Sequence, residues 1–73
     1  MSDRYQVNTR VAWNWGGGTG EGKVKEVFTG KVSRTIKGSE LTRNASDDNP
    51  AYLIEQDDGD QVLKSHAELH RPD

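Results

Sequence analysis

The sequence has no cysteine, which excludes disulfides and thiolate metal sites and permits a reducing compartment. Apolar residues are scarce. Val, Ile, Leu and Phe together number 13 of 73, below the roughly one fifth at which disorder becomes a serious alternative. Disorder also needs a high net charge, and the formal net charge is only -2. No apolar run reaches the length of a membrane span or of a signal-peptide core. The polar start, Met1-Ser2-Asp3-Arg4-Tyr5, makes a cytoplasmic location the default expectation. A chain of 73 residues suffices for one domain with a thin core.

What is present is clustered into short extended runs. Arg10-Val11-Ala12-Trp13-Asn14-Trp15 alternates large apolar with other residues, the period of a strand. Gly16-Gly17-Gly18-Thr19-Gly20 breaks it and reads as a flexible hairpin loop. Residues 22–29 form a second strand, with neither face cleanly apolar, so a bulge near Glu26 or Val27 is expected. Residues 31–37 form a weaker strand, ended by Gly38, and residues 41–43 can continue the pairing. Residues 44–50 are turn chemistry closed by Pro50. Residues 51–56 and 61–64 are two further strands joined through Asp58-Gly59, a strong hairpin signal. Ser65 to Leu69 reads as a short helical turn, with Ser65 as cap and Glu68 as its return partner. The expected fold is all-β: a small barrel or sandwich of about five short strands with a short C-terminal helical turn. Residues 1–6 are expected to be a flexible N-terminus and residues 7–71 the single domain.

Catalytic and metal motifs each lack a required residue. Gly17 to Lys23 has the spacing of a phosphate loop, but Val24 stands where the Mg²⁺ ligand Ser or Thr belongs, and the run leads into a strand. Asp57-Asp58-Gly59-Asp60 lacks the rest of a calcium loop and reads as a turn. His66 and His70 are four apart and can face together on a helical turn, but they have no third ligand. The expectation is therefore no enzyme, no metal and no cofactor.

The aromatic residues and the charges carry more. Trp13, Trp15, Phe28 and Tyr52 come from three expected strands or their edges. Aromatic faces attract cations, so a cluster of them can cage a methylated ammonium. Trp13 and Phe28 serve first as core in a chain this poor in apolar residues. Trp15, beside the glycines, is expected to be partly exposed. The Tyr52 ring can pack while its hydroxyl reaches a partner. Charge is segregated: residues 1–43 carry +4 and residues 44–73 carry -6. The two halves are expected to pair across the sheet. The alternative is that Lys23, Lys25, Lys31, Arg34, Lys37 and Arg43 form a face for nucleic acid.

Val11-x-Trp13, the glycine-rich run and Gly22-Lys23-Val24 resemble the start of the small hypervirulence-associated Tudor-like proteins. Thr42-Arg43-Asn44-Ala45-Ser46-Asp47-Asp48-Asn49-Pro50-Ala51-Tyr52, with the late Lys64 and Leu69, resembles that family more specifically. The resemblance covers residues 7 to 71 and implies an SH3-like, Tudor-like fold. It suggests peptide binding, including peptides with modified Lys or Arg, and transfers no binding residues.

Two functional expectations follow. The first is a protein- or peptide-binding module with a groove lined by Trp13, Trp15, Phe28 and Tyr52, and with Asp47 and Asp48 turned toward a cationic ligand. The second is a nucleic-acid-binding module using the basic face of residues 23–43, with Trp15 stacking on a base. A structural domain pairing with itself through an exposed strand edge is a third reading.

Overall fold

A computed structural model describes residues 4–72 of the chain. Among the described residues seven strands form: β1 (Arg10–Trp15), β2 (Gly18–Phe28), β3 (Val32–Ile36), β4 (Ser39–Arg43), β5 (Ala51–Gln56), β6 (Gln61–Ser65) and β7 (Leu69–His70). One 3₁₀ turn, His66–Glu68, separates the last two. Five strands make one antiparallel sheet in the order β6-β5-β2-β1-β7, and β3 and β4 pair with each other. The sheet curls into a half-barrel, and the β3–β4 hairpin lies against β6. This is an all-β, Tudor/SH3-like fold.

The glycine-rich run differs from the flexible loop expected of it. Trp15 pairs with Gly18, so only Gly16 and Gly17 form the turn, and β2 begins four residues earlier than expected. Gly16 has φ 41°, the left-handed backbone that a tight two-residue hairpin requires. Gly20 is needed for a different reason. A Cβ there would lie 2.6 Å from the Trp13 indole, so the ring packs directly on the strand backbone.

The long strand β2 serves both ends of the sheet because it is bulged. Its register against β5 shifts between Val24 and Glu26, just before the expected place. Val24 and Val27 are three apart and would face opposite ways on a regular strand. With Lys25 as the extra residue, both pack on the same core.

That core contains Val11, Trp13, Val24, Tyr52, Ile54 and Leu69. A second cluster, Val32, Ala51 and Leu63, joins the β3–β4 hairpin to the sheet, with Phe28, Ile36 and Leu41 around it. β5 supplies residues to both clusters, and its first four residues are all buried. A strand covered on both faces reads as an unbroken apolar run, which is how Ala51-Tyr52-Leu53-Ile54 looks in the sequence. The expected cap of the 3₁₀ turn is present: the Ser65 backbone N–H donates to the Glu68 carboxylate at 2.9 Å. β7, two residues against Ala12 and Trp13, was not expected; it brings Leu69 into the core.

Candidate functional site

At the open end of the sheet a groove of about 460 Å³ is lined by Arg10, Trp15, Thr19, Gly20 and Glu21 on one side. Gln56, Asp57 and Asp58 line the other. The sheet creates it through a mismatch of strand lengths. β2 runs on to Gly18 beside β1, while β5 ends at Gln56, opposite Gly22. The β5–β6 turn then leaves the sheet and forms the far wall. In that turn Asp58 accepts a hydrogen bond from the Asp60 backbone N–H at 2.9 Å, and Gly59 has φ 91°.

Trp15 is 59% exposed, in contrast to Trp13 two residues earlier, which is 4% exposed. The six-membered part of the Trp15 indole lies beside Gly18. A tryptophan of that exposure on a tight hairpin presents an aromatic face at little conformational cost. Across the groove, Arg10 forms a two-pronged pair with Asp57, at 3.2 and 2.8 Å, and its Nε donates to Glu21 at 3.1 Å. The hydrogen bond from Arg10 holds the Asp57 carboxyl below its ordinary range. Conversely, the bonds to Asp57 and Glu21 raise the Arg10 guanidinium. Three carboxylates and one guanidinium line the groove, and Lys23 stands near Asp57 outside the lining. The balance remains negative.

The chain matches the hypervirulence-associated protein Tudor domain over residues 9–69. It belongs to the hypervirulence-associated Tudor domain family. Tudor-like domains are small binding modules. Comparison with curated proteins and with solved structures gave no match.

In this Tudor domain the six residues first singled out do not come together. Trp13 and Tyr52 are core residues, at 4% and 0% exposure, because the chain has few other large side chains to bury. Phe28 belongs to the second cluster, and the Arg34 guanidinium covers its ring at 4.8 Å. Asp47 pairs with Arg4 at 3.7 Å, and neither Asp47 nor Asp48 lines the groove. Of the six, Trp15 alone is in it.

The turn that carries the specific part of the resemblance has a structural task. Asn49 and Ser46 exchange backbone hydrogen bonds at 3.2 Å, and the Asn49 side chain accepts from the Ala67 N–H. Pro50 is fully buried, and its carbonyl accepts from the His66 N–H at 2.7 Å. Those bonds tie the C-terminal turn to the start of β5. His66 and His70 serve separate partners: Nδ1 of the first meets the Tyr52 hydroxyl, and that of the second meets the Arg71 carbonyl.

Four of the six residues of the basic face are in ion pairs. These are Lys25–Glu55 at 3.5 Å, Arg34–Glu26 at 3.3 Å, Lys37–Asp60 at 2.7 Å and Arg43–Glu68 at 3.4 Å. Among the described residues Lys23 and Lys31 have no such pair. Five pairs join a base of the first half to an acid of the second, as the charge segregation suggested.

Arg10, Thr19, Glu21, Gln56, Asp57 and Asp58 were missed as site residues. The signal was indirect. A two-residue turn at Gly16-Gly17 sets Trp15 against Gly18, and the length of β5 then sets Gln56 against Gly22. Only with both registers in hand does the Asp57-Asp58 turn fall beside Glu21.

Among the described residues no helix is long and apolar enough to cross a membrane.

Proposed function

We propose that the protein is a non-catalytic module that binds a basic peptide segment of another protein in the Trp15 groove. The observation carrying this reading is the exposed Trp15 lining one groove with Glu21, Asp57 and Asp58. A cationic side chain laid on the indole gains the attraction of its π face, and the carboxylates favour the same charge. Glu21 and Asp57 already share Arg10, so a ligand would meet Asp58 and the remaining lone pairs of the other two. Carboxylates accept N–H donors, so a Lys ammonium or Arg guanidinium that keeps its hydrogens suits this groove better than a fully methylated ammonium.

Nucleic-acid binding is less well supported. The basic face would have to give up its ion pairs with Glu26, Glu55, Asp60 and Glu68 before it could neutralise phosphates.

The test is chemical-shift mapping with three peptides of one length: unmodified Lys/Arg-containing, fully methylated and Glu-containing. The expected result is movement of the Trp15 indole, Thr19, Glu21, Gln56 and Asp58 signals with the unmodified basic peptide, and less with the other two. No movement with any basic peptide, or binding of DNA or RNA at low salt with shifts confined to residues 23–43, would overturn it.

A further inference from the structure

The groove holds more than a tryptophan and acids; its floor is an open strand edge. Backbone groups in an antiparallel strand point alternately to the two neighbours. The Val24 N–H donates to the Thr9 carbonyl at 3.0 Å, and its carbonyl accepts from the Asn8 N–H at 2.7 Å. Val24 therefore addresses the side of β1. By alternation so do Gly22, Gly20 and Gly18, the last being the partner of Trp15 across the tight turn. Lys23, Glu21 and Thr19 address the other side. Lys23 meets Glu55 of β5 there. One step further β5 ends, and the edge from Gly18 to Glu21 has no strand partner among the described residues. Outside the sheet's own ladders, neither Thr19 nor Glu21 has a backbone hydrogen bond to a described residue.

Exposed strand edges attract other chains and are usually blocked or covered. This one is short, about 13 Å for four residues. It lies inside the groove, between Trp15 and the Asp57-Asp58 turn.

We infer that the groove takes its peptide as an added β-strand, in the lane that β5 vacates at Gln56. The peptide backbone pairs with Thr19 and the adjoining N–H of Glu21, and a Lys or Arg side chain reaches Trp15 and Asp58. Main-chain bonding supplies affinity, and the side chain supplies selectivity. The occupant follows from the negative lining, which favours a basic extended segment of a partner over an acidic one. The inference rests on the peptide-binding reading of the same groove.

The test uses an acetylated and amidated pentapeptide, Thr-Lys-Val-Arg-Val, and two analogues. One is N-methylated at the second and fourth residues, the other at the third and fifth. In strand addition only one set of amides faces the protein. One analogue should therefore lose at least about fivefold in affinity, the worth of one net hydrogen bond, while the other keeps it. Hydrogen exchange at the Thr19 amide should slow on binding the parent peptide. Equal binding of all three with unchanged Thr19 exchange would overturn strand addition and leave the cation-binding reading standing. Binding of none would overturn both.

Discussion

The Tyr52 hydroxyl lies 2.9 Å from Nδ1 of His66 and accepts the backbone N–H of Tyr5 at 3.0 Å. The phenol has one hydrogen, and the amide has already taken an acceptor site. Its proton is therefore available to the imidazole nitrogen. The three rings stack at tilted angles, with centroids 5.1 to 5.9 Å apart. One hydroxyl thus joins the segment before β1, strand β5 and the C-terminal turn. Tyr52→Phe removes that hydroxyl and leaves two polar partners unmet in a part-buried place. The expected cost is about 1–3 kcal/mol in urea denaturation. An unchanged midpoint would show that the junction contributes nothing.

The same hydroxyl predicts an alkaline limit. Burial pushes the Tyr52 phenol above its ordinary value, because the ionised form would lose hydration. A group whose folded value is raised stabilises the fold fully below its unfolded value, about 10. That contribution is lost as pH rises from there through the folded value. Stability of the wild type should fall above about pH 10 more steeply than that of Tyr52→Phe. Parallel curves from pH 9 to 12 would sink the assignment.

The two tryptophans should separate cleanly in fluorescence. Acrylamide should quench Trp15 readily and Trp13 poorly, given exposures of 59% and 4%. Trp15→Ala should shift stability by less than about 0.5 kcal/mol, as surface substitutions do, while removing peptide binding. Trp13→Ala should cost about 3–5 kcal/mol by emptying the core. Equal quenching of both rings would contradict the packing described.

Gly20 and Gly17 offer a matched pair. An added Cβ at Gly20 meets the Trp13 indole at 2.6 Å, whereas one at Gly17 meets nothing within 4 Å. The Trp13 ring is held in the core and has little room to yield. Gly20→Ala should destabilise by about 1–3 kcal/mol through overpacking, and Gly17→Ala should be nearly neutral. Thermal melts of the two variants decide it, and equal midpoints would refute the close approach.

The strands were legible where local pattern and burial agree. Ala51 to Gln56 is a run of apolar residues ended by polar ones, and its bounds match the strand. The Asp58-Gly59 turn and the Ser65–Glu68 cap depend on neighbours in sequence and were equally legible. The glycine-rich run was harder, because glycine permits a loop and a strand alike and only cross-strand register selects one. The site suffered most. Aromatic residues draw attention as ligand contacts, yet a chain this poor in apolar residues uses Trp13 and Tyr52 as core. The groove arises where one strand outlasts its neighbour, a relation between Glu21 and Asp57 that no short sequence window contains.

The Arg10 clamp sets the charge of the groove. Its guanidinium holds Asp57 and Glu21 together, and the Asp57 carboxyl is lowered chiefly by the hydrogen bond from Arg10. A carboxyl with a depressed folded value contributes stability above its unfolded value and loses it as pH falls through the folded value. In an NMR titration Asp57 should therefore protonate below the usual carboxylate range. In Arg10→Gln it should return toward about 3.9. The variant also leaves one more unbalanced negative charge in the lining. Basic-peptide affinity should rise in Arg10→Gln, and the gain should shrink with added salt, since exposed charges are screened. Weaker binding with a normal fold would mean that Arg10 organises the acceptors for the ligand instead of competing with it.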